Sequence, residues 1–126
     1  MNKLNKKILL IEDDEFLSEM LVKKFSSEGF NISLLKSAID ALEFIKTEKV
    51  NLILLDIILP GMDGFEFLKI IKENDKTKDI PVIVLSNLGQ DEEIKRAKEL
   101  GAEDYMVKAH FFLKEIVDKV DKMLAK

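Results

Sequence analysis

Apolar positions along this chain follow two alternating rhythms. Five short stretches suit strands: Ile8–Ile11, Ile32–Leu35, Val50–Leu55, Pro81–Leu85 and Asp104–Val107. The first, third and fourth are nearly continuous apolar runs, the pattern of parallel strands covered on both faces. Between them apolar residues recur at helical spacing. Leu17, Met20, Leu21 and Phe25 mark a first helix, and Ala38, Ala41, Leu42 and Ile45 a second. Phe65, Leu68 and Ile71 mark a third, and Ile94, Ala97 and Leu100 a fourth. Leu113, Ile116, Val117, Val120 and Leu124 mark the last. Ser37 is placed to cap the second helix, with Asp40 as its capping-box partner. Gly29 and Gly101 fall where helices should stop, at a position that glycine fills without Cβ strain.

The string is therefore five βα units. Such alternation predicts an α/β fold, an open parallel sheet with helices on both faces, in a (βα)5 three-layer sandwich. The last helix runs to the end of the 126 residues, so the expectation is one domain over 1–126. No internal repeat or low-complexity linker interrupts the pattern.

Composition narrows the function classes. Hydrophobic residues are 47% and charged residues 35%, as in folded globular proteins. The net charge of −4 argues against a nucleic-acid binder, which usually needs a basic face. The absence of cysteine excludes disulfides, thiol chemistry and Cys-rich zinc sites. A single histidine, His110, cannot build a multi-His metal centre. No apolar stretch is long enough to cross a bilayer. The opening "MNKLNKKILLIEDDE" runs straight into acids without a small-residue cleavage site, so it reads as a first strand and the protein as cytoplasmic.

Chemistry gathers at strand ends. The first strand ends in Glu12, Asp13 and Asp14, the third at Asp56, the fourth at Ser86 and the fifth at Lys108. Ligands of open α/β sheets bind beyond the carboxyl ends of the strands, where strand order reverses. In the flavodoxin-like order 2-1-3-4-5, Asp13 and Asp56 become neighbours, flanked by Ser86 and Lys108. Taken singly, each residue has an ordinary reading: a helix cap for Asp13 or Asp14, a turn residue for Ser86, a solvated cation for Lys108. Together they suit phosphate and metal. Clustered carboxylates repel unless a cation joins them. All-oxygen ligation is the preference of Mg²⁺, with Mn²⁺ as a substitute. One Asp56 oxygen can then attack phosphorus while Lys108 neutralises charge and Ser86 donates a hydrogen bond.

The stretches "ILLIEDDE", "LILLDIILPGMDGFEFLK", "IPVIVLSN" and "GAEDYMVK" occur in this order and cover nearly the whole chain. They resemble the receiver domain of bacterial two-component response regulators, the CheY-like family. The resemblance implies Asp56 as phosphoacceptor and a metal shell of Glu12, Asp13, Asp56 and the Ile58 carbonyl. It implies Ser86 and Tyr105 as the switch pair and Lys108 as the phosphate-binding lysine, with Asp14 outside the shell. Read without the family, Tyr105 is an edge aromatic with a wet hydroxyl. Many relatives carry proline after the lysine, often in a cis peptide. This chain has Ala109, so a trans bond is expected.

The resemblance also implies a histidine kinase or phosphotransfer protein as donor, with small acyl-type phosphates as a further source. The output is expected through the face of the fourth helix, fifth strand and fifth helix, toward a protein target or a second copy. No direct contact with nucleic acid or membrane is expected. Ile58 and Leu88, two residues beyond Asp56 and Ser86, are bulky and apolar, which predicts slow self-dephosphorylation. An aspartate-nucleophile phosphatase would need a general acid at position 58, where isoleucine cannot transfer a proton. A receiver-like interaction module that is never phosphorylated is the other alternative. The intact polar set counts against it.

Overall fold

The computed structural model describes residues 5–125. Strands and helices alternate: β1 (Lys7–Ile11), α1 (Glu15–Ser27), β2 (Asn31–Leu35), α2 (Ala38–Thr47), β3 (Leu52–Leu55), α3 (Gly64–Glu73), β4 (Val82–Ser86), α4 (Asp91–Glu99), β5 (Asp104–Val107) and α5 (Leu113–Leu124). The five strands form one parallel sheet in the order β2-β1-β3-β4-β5, as expected.

Burial explains the sequence rhythm. β3 and β4 are buried throughout, and β1 from Ile8 onward, because helices cover both faces. Edge strands β2 and β5 are only partly covered. Parallel strands alternate their side chains between two cores. Ile8, Leu10, Leu52 and Leu54 pack with Leu21 and Phe25 of α1 and with Ile116, Val117 and Val120 of α5. Leu9, Ile11, Ile53 and Leu55 pack with Ala38 and Ala41 of α2, Phe65, Leu68 and Ile71 of α3, and Ala97 of α4. The molecule is thus a three-layer sandwich.

Two strands start later than expected, each for an identifiable reason. Pro81 cannot donate to the ladder, so β4 starts at Val82, while the Pro81 carbonyl still accepts from Ile53 N–H (2.9 Å). Before β3, the Asn51 N–H still donates to the Lys7 carbonyl (2.8 Å), but the Lys7 N–H goes to the Asn51 side chain (2.8 Å) where a strand would offer a backbone carbonyl. Met20, one of the apolar positions that mark the first helix, lies at the surface, whereas Phe67 of α3 is buried.

Helix ends follow their chemistry. Asp14 caps α1 by accepting from Leu17 N–H (3.0 Å). Asp63 caps α3 by accepting from Glu66 N–H (3.0 Å). Ser37 accepts from Asp40 N–H (3.2 Å). No return bond from Asp40 is found among the described residues; its side chain is one methylene shorter than the Glu or Gln of a full box. Gly29 (φ 93°) and Gly101 (φ 109°) end α1 and α4 in the left-handed region. After Gly29 the chain closes a paired C-terminal motif: Gly29 N–H bonds Ser26 O (3.0 Å) and Phe30 N–H bonds Phe25 O (3.0 Å). The Phe25 and Phe30 rings pack edge to face, 5.5 Å apart, over that turn.

Candidate functional site

The site begins where β1 and β3 stop. Ile11 pairs with Leu55 in register. The ladder continues one residue further on each strand: Asp56 N–H donates to Ile11 O (3.1 Å) and Glu12 N–H to Leu35 O (3.0 Å). These bonds fix Glu12 and Asp56 side by side, both buried, with Asp13 exposed at the rim. One carboxylate oxygen from each of the three lies within 4.8 Å of the others. Asp14, occupied as a helix cap, is not part of this group.

Lys108 crosses from the end of β5 to meet them. Its Nζ lies 2.8 Å from Asp56 Oδ2 and 2.7 Å from Glu12 Oε1. The Asp56 contact is a hydrogen bond; the Glu12 contact is a close charge pair without hydrogen-bond direction. The ammonium is largely buried, which would lower its pKa, but its contacts with Asp56 and Glu12 win and hold it above the usual lysine value. Glu12 behaves oppositely. Burial pushes its carboxyl up to about 7, with the charge of Asp56 adding to the rise against the pull of Lys108.

The remaining lone pairs show what the site can hold. Glu12 Oε2 accepts from Asp14 N–H (3.1 Å), and Asp56 Oδ1 accepts from Ile58 N–H (3.1 Å). Glu12 Oε1 is buried with the Lys108 ammonium 2.7 Å away. Three carboxylates whose oxygens converge within 4.8 Å against one ammonium leave an excess of negative charge that fits a hard divalent cation. Glu12, Asp13 and Asp56 are the residues that could hold it.

Ser86, the last residue of β4, is fully buried, and its Oγ accepts from Leu88 N–H (3.4 Å). Tyr105 on β5 points inward. Its hydroxyl donates to the Leu88 carbonyl (2.5 Å), so the wet hydroxyl of an ordinary edge aromatic is not what the fold provides. Burial pushes the phenol up, and the nearby Ser86 hydroxyl pulls the other way. On the far side of β5, Asp104 meets Lys119 of α5 (2.8 Å). Burial would raise Asp104, but the Lys119 contact and the Tyr105 N–H overcome it and lower its pKa.

Beyond Lys108 the chain makes a single 3-10 turn over Lys108–His110, and no cis peptide occurs among the described residues. His110 is exposed. Two contributors escaped the sequence reading. Gly64 carries no signal of its own in the sequence, yet a Cβ there would lie 2.5 Å from the Asp56 carbonyl oxygen and 2.7 Å from Ile57 Cα. The Leu88 carbonyl is a backbone acceptor, and no residue type signals one.

This is a parallel α/β sheet with a buried carboxylate pair, an exposed third acid and a bridging lysine at its carboxyl edge, the architecture of a phosphoacceptor class of signalling proteins. The response regulator receiver domain family matches residues 8–121, and the chain belongs to it. The chain is 36% identical over 121 residues to sporulation initiation phosphotransferase F of Bacillus subtilis, covering 96% of this chain and 95% of that protein. It is 34% identical over 119 residues to the phosphate regulon transcriptional regulatory protein PhoB of Escherichia coli, covering 94% of this chain but 52% of PhoB. The chain thus spans about half the length of that relative. Among solved structures, a two-component response regulator from Clostridium difficile superposes with a TM-score of 0.90 at 29% identity, over 97% of this chain and 98% of that one. A putative response regulator from Chloroflexus aurantiacus gives 0.89 at 29% identity, over 96% and 98%. Receiver domains are in general signalling proteins rather than enzymes, and they bind Mg²⁺ in an acidic pocket such as this cluster. Among the described residues no helix is long and apolar enough to cross a membrane.

Proposed function

We propose that the chain is a phosphorylation-controlled switch that takes a phosphoryl group on Asp56 from a histidine kinase or phosphotransfer protein. The observation that carries this reading is the placement of Lys108 Nζ against Asp56 and Glu12 at one sheet edge. An Asp56 oxygen attacks phosphorus; the new O–P bond replaces the P–N bond of a phosphohistidine, and the imidazole leaves with the electron pair and takes up a proton. Lys108 shifts from the carboxylate to the transferred phosphoryl oxygens and neutralises their charge. A divalent cation held by Glu12, Asp13, Asp56 and the Ile58 carbonyl supplies further neutralisation when bound. Ser86 donates its hydroxyl to a phosphoryl oxygen.

Exposed apolar side chains support a protein donor. Phe16 opens α1 with 74% of its surface exposed, Phe112 precedes α5 with 81%, and Ile58 follows Asp56 with 54%. All three lie on segments that leave the carboxyl edge of the sheet, and large apolar groups left in water near a site favour a docking partner. The output runs through the α4–β5–α5 face, where Tyr105 and the exposed Lys95 and Lys98 lie. This face serves a protein target or a second copy of the chain.

Incubation with a small acyl phosphate and Mg²⁺, read by intact mass, tests the assignment. The wild type gains one phosphoryl group, which peptide mapping finds on Asp56, and Asp56→Asn gains none. Continued labelling of Asp56→Asn would overturn the assignment.

A further inference from the structure

Helix α4 is lightly seated. Ala97 is its one buried residue. Its Arg96 side chain has no carboxylate within ion-pair distance among the described residues, although Glu92 and Glu93 lie one turn earlier on the same helix. The guanidinium lies instead over the Phe65 ring, 4.1 Å from its centroid. Phe65 is buried in the first turn of α3. It directly follows Gly64, the residue pressed against the Asp56 carbonyl. Phe65, Ala97, Leu88 and Tyr105 belong to one apolar cluster.

We propose that Arg96, through the Phe65 ring, is a positioning residue for the Ser86–Tyr105 pair. The stack seats α4 on the turn that abuts Asp56. That seat fixes the segment leading into α4, and with it the Leu88 carbonyl that holds the Tyr105 hydroxyl inward. The inference rests on the reading of Asp56 as phosphoacceptor. A planar cation over an aromatic face is favourable, and lysine replaces arginine there only in part. By linkage, a contact that favours the tyrosine-in arrangement strengthens phosphoryl capture by the same factor through which capture strengthens the contact.

The chain contains one tyrosine and no tryptophan, so intrinsic emission reports Tyr105 directly. Beryllofluoride, a phosphoryl mimic, is titrated at saturating Mg²⁺ into wild type, Arg96→Gln, Arg96→Lys, Phe65→Leu and the Arg96→Gln/Phe65→Leu double variant. Arg96→Gln and Phe65→Leu each weaken binding about two- to fivefold, the range of a cation–π pair at an exposed site. Both shift Tyr105 emission before any mimic is added, Arg96→Lys recovers part of the loss, and the double variant is no weaker than either single one. Variants with wild-type affinity and emission, or losses that add in the double variant, overturn the inference alone. A wild type that captures no beryllofluoride overturns the functional reading as well. Arg96 is exposed, so should Phe65→Leu fail to fold, the two Arg96 variants decide the matter.

Discussion

At the scale of single residues, Glu12 is the group whose chemistry depends most on its surroundings. Its carboxyl titrates at about 7 instead of the ordinary 4.5. In the metal-free protein, folded Glu12 therefore keeps a proton between those values that the unfolded chain has released. Its contribution makes stability fall as pH rises through that window. Urea unfolding without metal should show this, and Glu12→Gln should flatten it. Mg²⁺ needs the carboxylate, so its affinity should rise with pH through about 7 in the wild type and lose that dependence in Glu12→Gln, as titration calorimetry would record.

Ile58 and Leu88 act at the same scale. Neither side chain can orient a water behind phosphorus, and Ile58 is an exposed apolar residue two positions beyond Asp56. Polar replacements, Ile58→Asn with Leu88→Glu, should shorten the phosphoryl lifetime at Asp56 by about tenfold, within the span that positioned proton-accepting groups contribute. Timed mass spectrometry after donor removal checks it; an unchanged lifetime would mean that water access is set elsewhere.

At the scale of elements, α3 is held against the end of β3 by the lack of a side chain. The backbone of Gly64 lies so close to Asp56 and Ile57 that any Cβ meets fixed backbone atoms. Gly64 N–H also donates to Ile57 O (2.9 Å). Gly64→Ala should cost about 2 kcal/mol or more, because neither neighbour can yield as a flexible side chain would. Slower phosphoryl uptake should accompany the loss, since relief of the clash moves the turn that carries Asp56. Gly61 is the contrast. Its φ of 74° demands glycine, but open space surrounds its Cβ position.

At the scale of the molecule, the edge opposite the site has its own clasp. Lys72 of α3, largely buried, reaches the carbonyls of Lys78 (3.1 Å) and Ile80 (2.8 Å) and the Glu103 carboxylate (3.2 Å). Glu103 in turn accepts from Val82 N–H (2.7 Å), so one cation gathers the starts of β4 and β5 and the end of α3. Lys72→Met should lower unfolding stability by about 2 kcal/mol while leaving phosphoryl uptake at Asp56 intact. Urea midpoints and the mass assay separate the two effects.

The clasp also marks what a linear reading reaches. Strand existence, helix faces, the glycine stops and the order of chemical residues were legible, because each depends on local spacing and on periods of two or near 3.6 residues. Asp56, Glu12, Asp13, Ser86 and Lys108 could be nominated because all fall at strand ends, and parallel topology sends strand ends to one edge. Three-dimensional packing decided the rest. That Lys72 is largely covered and Lys95 exposed, that Tyr105 turns in to a carbonyl seventeen positions away, that Gly64 is a contact point and that Arg96 lies over a ring all depend on which distant groups arrive alongside. Sequence spacing carries the pattern of what must leave water. It does not carry the distances between groups that are brought together only when the sheet closes its ladder.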